Sequence, residues 1–240
     1  MKKVFITGAN KGIGFETARQ LLQQGYYVYL GSRDEQKGNE AKAALHKEGL
    51  IHCEVILIDV SDDHSVSEAC DVLSRKTKVL DALINNAGIS GGFPQQASSI
   101  SIDSIKQVFE TNFFGTIRTV QAFLPLLKAA SEARIVNVTS DLASLTLHND
   151  PSWVYYAFKG GAYGPSKTAL NAYTIALAYE LKDTNIKVNA VNPGYTATDF
   201  NQHRGTAKVA DASRIIVNFA TLNANGPTGK FYSDYGETPW

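Results

Sequence analysis

VFITGANKGIGFETA, residues 4–18, decides how the rest of the chain is read. An apolar run ends in a glycine-rich turn at Gly8, Gly12 and Gly14, and the turn passes into a pattern that suits a helix. Glycines at such a junction let the backbone bend tightly. They also let a pyrophosphate approach main-chain N–H groups at the positive end of the following helix. A glycine-rich turn also arises for steric reasons alone, so its meaning depends on what surrounds it.

Downstream, short β-branched runs alternate with longer helical patterns, which predicts βαβ units and a parallel sheet. The strand candidates are Lys3–Thr7, Tyr26–Gly31, Glu54–Asp59, Ala82–Asn85, Arg134–Thr139, Lys187–Asn192 and Lys230–Tyr232. Several are apolar throughout, as strands covered on both faces should be. Helical patterns cover Ile13–Gln24, Asp34–Lys47, Asp62–Arg75, Ser101–Lys128, Tyr163–Lys182 and Val209–Leu222. Gly25 and Gly49 suit helix ends, and Pro125 predicts a bend or break near the end of the longest helix. With no repeat and no linker, residues 1–240 read as one α/β domain of the doubly wound type, with helices on both faces. If the glycine turn binds a dinucleotide, a cofactor half spans about 1–100 and a catalytic and substrate half about 101–240. The glycine turn therefore opens the first βα unit of such a chain, where dinucleotide binding outweighs plain turn chemistry.

Composition excludes several classes. The 23 basic and 23 acidic residues cancel, so no global field favours nucleic acid or an anionic membrane surface. No stretch approaches the roughly 18 apolar residues of a membrane span, and the apolar opening is cut short by GANKGIG, unlike a secretory leader. Cys53 and Cys70 have neither metal-ligand nor disulfide-framework spacing and read as free thiols, so a reducing, cytoplasmic setting is the default. No Asp/Glu/His cluster has metal spacing. His46, His52, His64, His148 and His203 read as structural or solvent-facing.

The second strand ends in LGSRDEQ. An acidic residue at that tip would accept from a ribose 2′-hydroxyl, whereas a base would hold a 2′-phosphate. Arg33 stands there, followed by Asp34, and Lys11 lies within the glycine turn. Two cations near one spot suit a phosphate dianion and favour NADP over NAD, with Asp34 the residue that could reverse the choice.

TGANKGIG at 7–14, NNAG at Asn85–Gly88, Asn112 in ETNFFGT, Ser140 closing IVNVTS, YGPSK at 163–167 and NPG at 192–194 follow one another in order. In this the chain resembles the short-chain dehydrogenase/reductase family over nearly its whole length. GSRDEQKG and the ending GPTGKFYSDYGETPW look most like the carbonyl reductase branch. The resemblance implies a Rossmann-type sheet of about seven parallel strands. It also implies hydride transfer between NADPH/NADP and an aldehyde, ketone or alcohol. It places Gly8, Asn10, Lys11, Gly12, Ile13, Gly14 and Arg33 at the dinucleotide. Asp59 and Val60 would contact the adenine, and Asn86, Ala87 and Gly88 its ribose. Pro193, Gly194, Thr196 and Thr198 would line the nicotinamide. Asn112, Ser140, Tyr163 and Lys167 form the implied catalytic set, with Asn112 holding a water of a proton relay.

The chemistry asks for a phenol and an ammonium one helical turn apart, a rise of about 6 Å, because the cation favours phenolate and lowers a pKa that is ordinarily near 10. Two copies of Tyr-x-x-x-Lys overlap here, Tyr155 with Lys159 and Tyr163 with Lys167. Gly160 and Gly161 would end a helix just after the first. After Lys167 comes a stripe of Ala169, Leu170, Tyr173, Ala176, Leu177 and Leu181, so Tyr163 opens a real helix and is the expected acid. Ser140 and Tyr163 stand further apart than is usual in the family. The surplus, about 143–161, reads as a loop insertion carrying Trp153, Tyr155, Tyr156 and Phe158, which either wall a substrate pocket or pack the loop on its own body. Ser140 would donate to the substrate carbonyl oxygen, or merely cap the turn that follows it. Alternatives to an NADPH-dependent carbonyl reductase are an NAD-dependent alcohol or hydroxysteroid dehydrogenase and a non-catalytic dinucleotide-binding regulator. The substrate's identity and the choice between monomer and homo-oligomer stay open.

Overall fold

The computed structural model describes all 240 residues. Its strands are β1 (Lys3–Ile6), β2 (Tyr27–Ser32), β3 (Cys53–Leu57), β4 (Ala82–Asn85), β5 (Ala133–Val138), β6 (Ile186–Val191), β7 (Phe231–Ser233) and β8 (Gly236–Glu237). They form one sheet in the order β3-β2-β1-β4-β5-β6-β7-β8, parallel except for β8, which runs antiparallel to β7. Seven parallel strands match the sequence reading; the added β8 is two residues long and too short to leave a pattern.

The helices are α1 (Gly12–Gln23), α2 (Glu35–Lys47), α3 (Asp63–Lys76), α4 (Ile102–Phe109), α5 (Gly115–Lys128), α6 (Leu145–His148), α7 (Tyr163–Glu180) and α8 (Val209–Ala220). Alternation along the strands divides the core in two. Phe5, Ile56, Leu83, Ile135 and Val188 pack with Val66 and Leu73 of α3, Phe123 and Leu127 of α5, and Leu177 of α7. Val4, Ile6, Leu30, Ile84 and Val136 pack with Leu21 of α1, Leu45 of α2 and Ile216 of α8. The central strands β1 and β4 are covered on both sides, which is why their runs are mainly apolar.

The long helix expected over Ser101–Lys128 is not regular. A π-helical turn, Glu110–Phe114, separates α4 from α5 and carries Asn112 into the interior at 0% exposure. Such turns insert a residue into the helical register and re-aim a side chain, which sequence periodicity does not signal. Pro125 neither breaks α5 nor ends it, since the helix continues to Lys128. Pro165 lies in the first turn of α7, where its missing N–H leaves no intrahelical bond unmade.

Strand order reverses between β1 and β4, and the chain leaves both strands at the same edge of the sheet. The glycine turn follows β1 and Asn86–Gly88 follows β4, so the crevice where open α/β sheets bind ligands is built from these two segments.

Candidate active site

The glycine turn is shaped for close approach. Gly8 and Gly12 have φ of 65° and 57°, a region that L side chains rarely adopt. A Cβ on Gly14 would stand 2.4 Å from both the Gly8 carbonyl oxygen and Asn86 Nδ2. Asn86 ties the two crevice segments together: its Nδ2 donates to the carbonyls of Thr7 (2.9 Å) and Gly8 (3.0 Å). Thr7 Oγ1 accepts the N–H groups of Asn86 and Ala87 at 3.0 Å each. Asn10 is half-buried in the turn, and Ile13 packs against the second core.

The segment after β6 closes the other side. Thr198 Cγ2 lies 3.6 Å from the position a Gly12 Cβ would take. Gly194, at φ 76°, donates its N–H to Asn192 Oδ1, and Thr196 Oγ1 donates to the carbonyls of Pro193 and Gly194. A side chain at Gly194 would meet nothing within 4 Å, so there is room against this loop. Together the glycine turn and this open face fit an extended dinucleotide.

At the tip of β2 the charges are sorted by function. Asp34 accepts the Lys37 N–H at 3.0 Å as the N-cap of α2 and pairs with Lys37 Nζ at 3.4 Å. Arg33 is exposed and has no ion-pair partner within the chain. Lys11 Nζ pairs with Asp199 at 3.0 Å, and Asp199 also meets His203 Nε2 at 2.9 Å. Asp59 Oδ1 accepts the hydroxyl (2.6 Å) and N–H (2.9 Å) of Ser61. Burial pushes its carboxyl up, but Ser61 and the charge of Arg33 outweigh that and hold it below the usual range. Val60 is buried against Gly115, where a Cβ would fall 2.8 Å from Val60 Cγ2.

Tyr163 and Lys167 lie one turn apart at the start of α7, with Lys167 Nζ 6.0 Å from the centre of the Tyr163 ring. Lys167 is buried and donates to the Val138 carbonyl at 2.8 Å. Burial lowers its ammonium to about 8. In the chain by itself burial raises Tyr163 to about 12, and the pull in the other direction comes from the Ser140 hydroxyl. Ser140 Oγ also accepts the Leu142 N–H at 3.2 Å, so the serine caps the 3-10 turn Asp141–Ala143 while standing beside the phenol. Asn112 is committed to protein partners. Its Oδ1 accepts the Ile89 N–H at 2.8 Å, and its Nδ2 donates to the Ile89 carbonyl and to Ser166 Oγ. A Cβ on Gly88 would reach within 3.2 Å of Asn112 Oδ1 and 3.6 Å of Lys167 Nζ, so glycine lets these two polar groups close on the same spot.

The other Tyr-Lys copy is not a pair. Residues 151–157 form turns rather than a helix, so Tyr155 and Lys159 share no face. Lys159 Nζ binds His148 Nδ1 (3.0 Å) and the His148 carbonyl (2.8 Å), and sits over the Tyr156 ring. Tyr155 stacks edgewise on Trp153, Phe158 and Tyr195, so the insertion packs on itself and also meets the loop after β6. From that same loop, Phe200 lies edge-on to Tyr163 at 5.5 Å. A cavity of about 520 Å³ between α6 and the outer face of α7 is lined by Leu145, His148, Pro165 and Thr168, but by none of Ser140, Tyr163 and Lys167. No group of three or more His, Cys, Asp or Glu is placed to hold a metal.

Asp141, which nothing in the sequence marks out, is a further buried polar residue beside the site. Its Oδ1 accepts Asn192 Nδ2 (2.6 Å), Ser233 Oγ (2.9 Å) and Tyr235 Oη (2.9 Å), joining the residue after Ser140 to the end of β6 and to the β7–β8 hairpin. Burial keeps its carboxyl above the usual range despite these donors. The partners lie 51 to 94 residues away, so no local pattern could announce them.

The sheet, the glycine crevice and the Ser140–Tyr163–Lys167 cluster define a dinucleotide-binding oxidoreductase fold, and the comparisons agree. The family model for short chain dehydrogenase matches residues 2–208, and the chain belongs to that family. It is 32% identical over 297 residues to a (+)-neomenthol dehydrogenase of Capsicum annuum, covering 95% of this chain and 94% of that one. A (-)-isopiperitenone reductase of Mentha piperita is also 32% identical, covering 95% and 94%. Among solved structures, the NADPH-bound carbonyl reductase from chicken fatty liver superposes with a TM-score of 0.87 at 25% identity, covering 100% of this chain and 99% of that one. No helix is long and apolar enough to cross a membrane.

Proposed function

We propose that this oxidoreductase reduces the carbonyl of an aldehyde or ketone with NADPH, and that Tyr163 delivers the proton. The observation that carries the reading is the Tyr163 phenol beside the Ser140 hydroxyl, with a buried lysine one helical turn behind it. A phenol keeps its proton at neutral pH and has it to give to a carbonyl oxygen. Retention of Asn112, Ser140, Tyr163 and Lys167 together speaks against a non-catalytic regulator.

NADPH, when bound, supplies the hydride. The chain's own groups do the rest. Main-chain N–H groups around Gly12–Gly14 receive the pyrophosphate at the start of α1. Pro193, Gly194, Thr196 and Thr198 border the nicotinamide, and Asp59, Val60, Asn86 and Ala87 the adenosine. Arg33 is free to meet a 2′-phosphate because it forms no ion pair within the chain, and Asp34 is withdrawn into the cap of α2. Lys11 joins Arg33 when it exchanges Asp199 for that phosphate. Ser140 donates to the substrate oxygen beside Tyr163. Lys167 holds a positive charge near the phenol and restores its proton, with Asn112 bracing the wall between Ile89 and Ser166. The NADPH-bound chicken carbonyl reductase supports the choice of cofactor. The relatives named for reductases and dehydrogenases support the carbonyl–alcohol chemistry. Free Cys53 and Cys70 suit a reducing cytoplasm.

The test is the initial rate of NADPH oxidation with a panel of aldehydes, ketoesters, quinones and cyclic ketones. Tyr163→Phe is expected to remove turnover and Tyr155→Phe to keep it; the opposite pattern overturns the assignment. Arg33→Ala is expected to lower the kcat/KM ratio of NADPH over NADH, and an unchanged ratio refutes the charge argument.

A further inference from the structure

Helix α7 begins without a cap of its own. Ala162 occupies the N-cap position and offers no side-chain acceptor to the first turn. Of the first-turn amides, that of Tyr163 takes its partner from far away in the sequence: Tyr163 N–H donates to Gln95 Oε1 at 3.0 Å. Gln95 is 3% exposed and sits in the irregular stretch between β4 and α4. Its Nε2 donates to the Ser90 carbonyl at 2.5 Å and the Gly92 carbonyl at 2.8 Å, and separately its main-chain carbonyl accepts the Gly161 N–H at 2.8 Å. One amide thus uses both donors and its acceptor, and the three partners leave only one orientation for it.

The surrounding glycines follow from this contact. A Cβ on Gly160 would stand 3.0 Å from Gln95 Oε1, and one on Gly161 would stand 3.1 Å from Ala97 Cα. Gly91 and Gly92, at φ 76° and 78°, bend the loop so that its carbonyls turn back on the amide. Gly160 and Gly161, which looked from sequence like helix breakers, are the clearance that lets Gln95 reach α7. The same loop binds Asn112 through Ile89, and Asn112 binds Ser166, whose hydroxyl donates to the Tyr163 carbonyl at 2.7 Å. Tyr163 is therefore held by its N–H through Gln95 and by its carbonyl through Ser166, both anchored to residues 89–95.

We propose that Gln95 is a positioning residue for the reaction: its side-chain amide caps the helix that starts at Tyr163 and sets where the phenol stands relative to the loop between β4 and α4. This rests on the proposed role of Tyr163. A purely structural amide would knit the loop and leave the chemistry alone; a positioning one passes its own chemistry on to kcat.

Gln95→Glu separates the two. The substitution keeps the shape and the acceptor for Tyr163 N–H. A neutral carboxyl can still donate once to Ser90 or Gly92, whereas a carboxylate faces two carbonyl oxygens with no proton to offer, and burial raises its pKa. The expected result is a kcat close to wild type at about pH 5.5 that falls roughly ten- to a hundredfold, relative to wild type, by about pH 8, the scale of loss that a small misplacement produces. NADPH affinity, read by fluorescence, should stay within about twofold, because the glycine turn is untouched. A Gln95→Glu to wild-type kcat ratio that is constant with pH overturns the proposal, as does NADPH affinity falling in step with kcat. Gly160→Ala, which crowds Oε1 without altering any charge, should lower kcat at all pH values while leaving KM for NADPH unchanged. Hydrogen exchange of the peptide 162–167 should quicken in Gln95→Glu at about pH 8. That readout needs no turnover: if the wild type reduces no carbonyl, the proposed reaction falls, and the exchange arm still decides whether Gln95 holds the helix start.

Discussion

Raising the pH above about 8 should switch off reduction through Lys167. The magnitude follows from its burial, which lowers the ammonium from 10.5 to about 8, while Tyr163 stays protonated up to about 12. At about pH 7 the lysine is charged in roughly nine molecules of ten, at about pH 8 in half, and at about pH 9 in roughly one of ten. If the charge near the phenol stabilises the developing alkoxide and restores the lost proton, kcat for reduction should be flat from about pH 6 to 7.5. It should then fall with a limiting slope of about tenfold per pH unit. The phenol contributes no limb in this range, because its own ionisation lies far above it. The assay is the initial rate at saturating NADPH and carbonyl substrate, with NADPH binding followed in parallel so that loss of cofactor is not mistaken for loss of catalysis. Lys167→Arg, whose guanidinium does not deprotonate in this range, supplies the control: whatever its absolute rate, the limb near 8 should vanish. A wild-type profile that stays flat to about pH 10, or a Lys167→Arg profile with the same limb, refutes the reasoning.

The same lysine makes stability pH-dependent. Its folded-state pKa lies below the unfolded value, so the folded chain releases the proton first and urea midpoints should rise with pH between about 8 and 10.5, a trend that Lys167→Met should abolish. Asp199→Asn frees Lys11 from its 3.0 Å pair and should tighten NADPH binding a few-fold at low salt with little change for NADH, the difference shrinking as salt rises. Phe123→Ala removes a fully buried ring lying 4.8 Å from Phe5 and should destabilise the fold by about 3–5 kcal/mol in urea denaturation, with Tyr163 chemistry unchanged in the molecules that remain folded.

The alternation of apolar runs with helical patterns was enough to determine the doubly wound sheet, because strands covered on both faces have no polar side to show. The glycine turn was legible for the same kind of reason. Positive φ at Gly8 and Gly12 and the 2.4 Å clearance at Gly14 leave no other residue type comfortable there. The choice of Tyr163 over Tyr155 followed from the apolar stripe that continues α7 beyond Lys167. What depends on partners distant in the chain could not be read. The sequence shows Lys11 and Arg33 as neighbouring cations, but only the tertiary structure pairs Lys11 with Asp199, 188 residues on. A tyrosine beside a lysine suggests a lowered phenol pKa, but the desolvation that opposes it depends on how the chain packs around both groups. Asn112 enters the interior through a π-helical turn in a segment whose periodicity reads as plain helix, and Gln95 caps α7 across 68 residues. Local propensity and periodicity are written along the chain; hydrogen-bond partners and desolvation exist only once distant segments have been brought together.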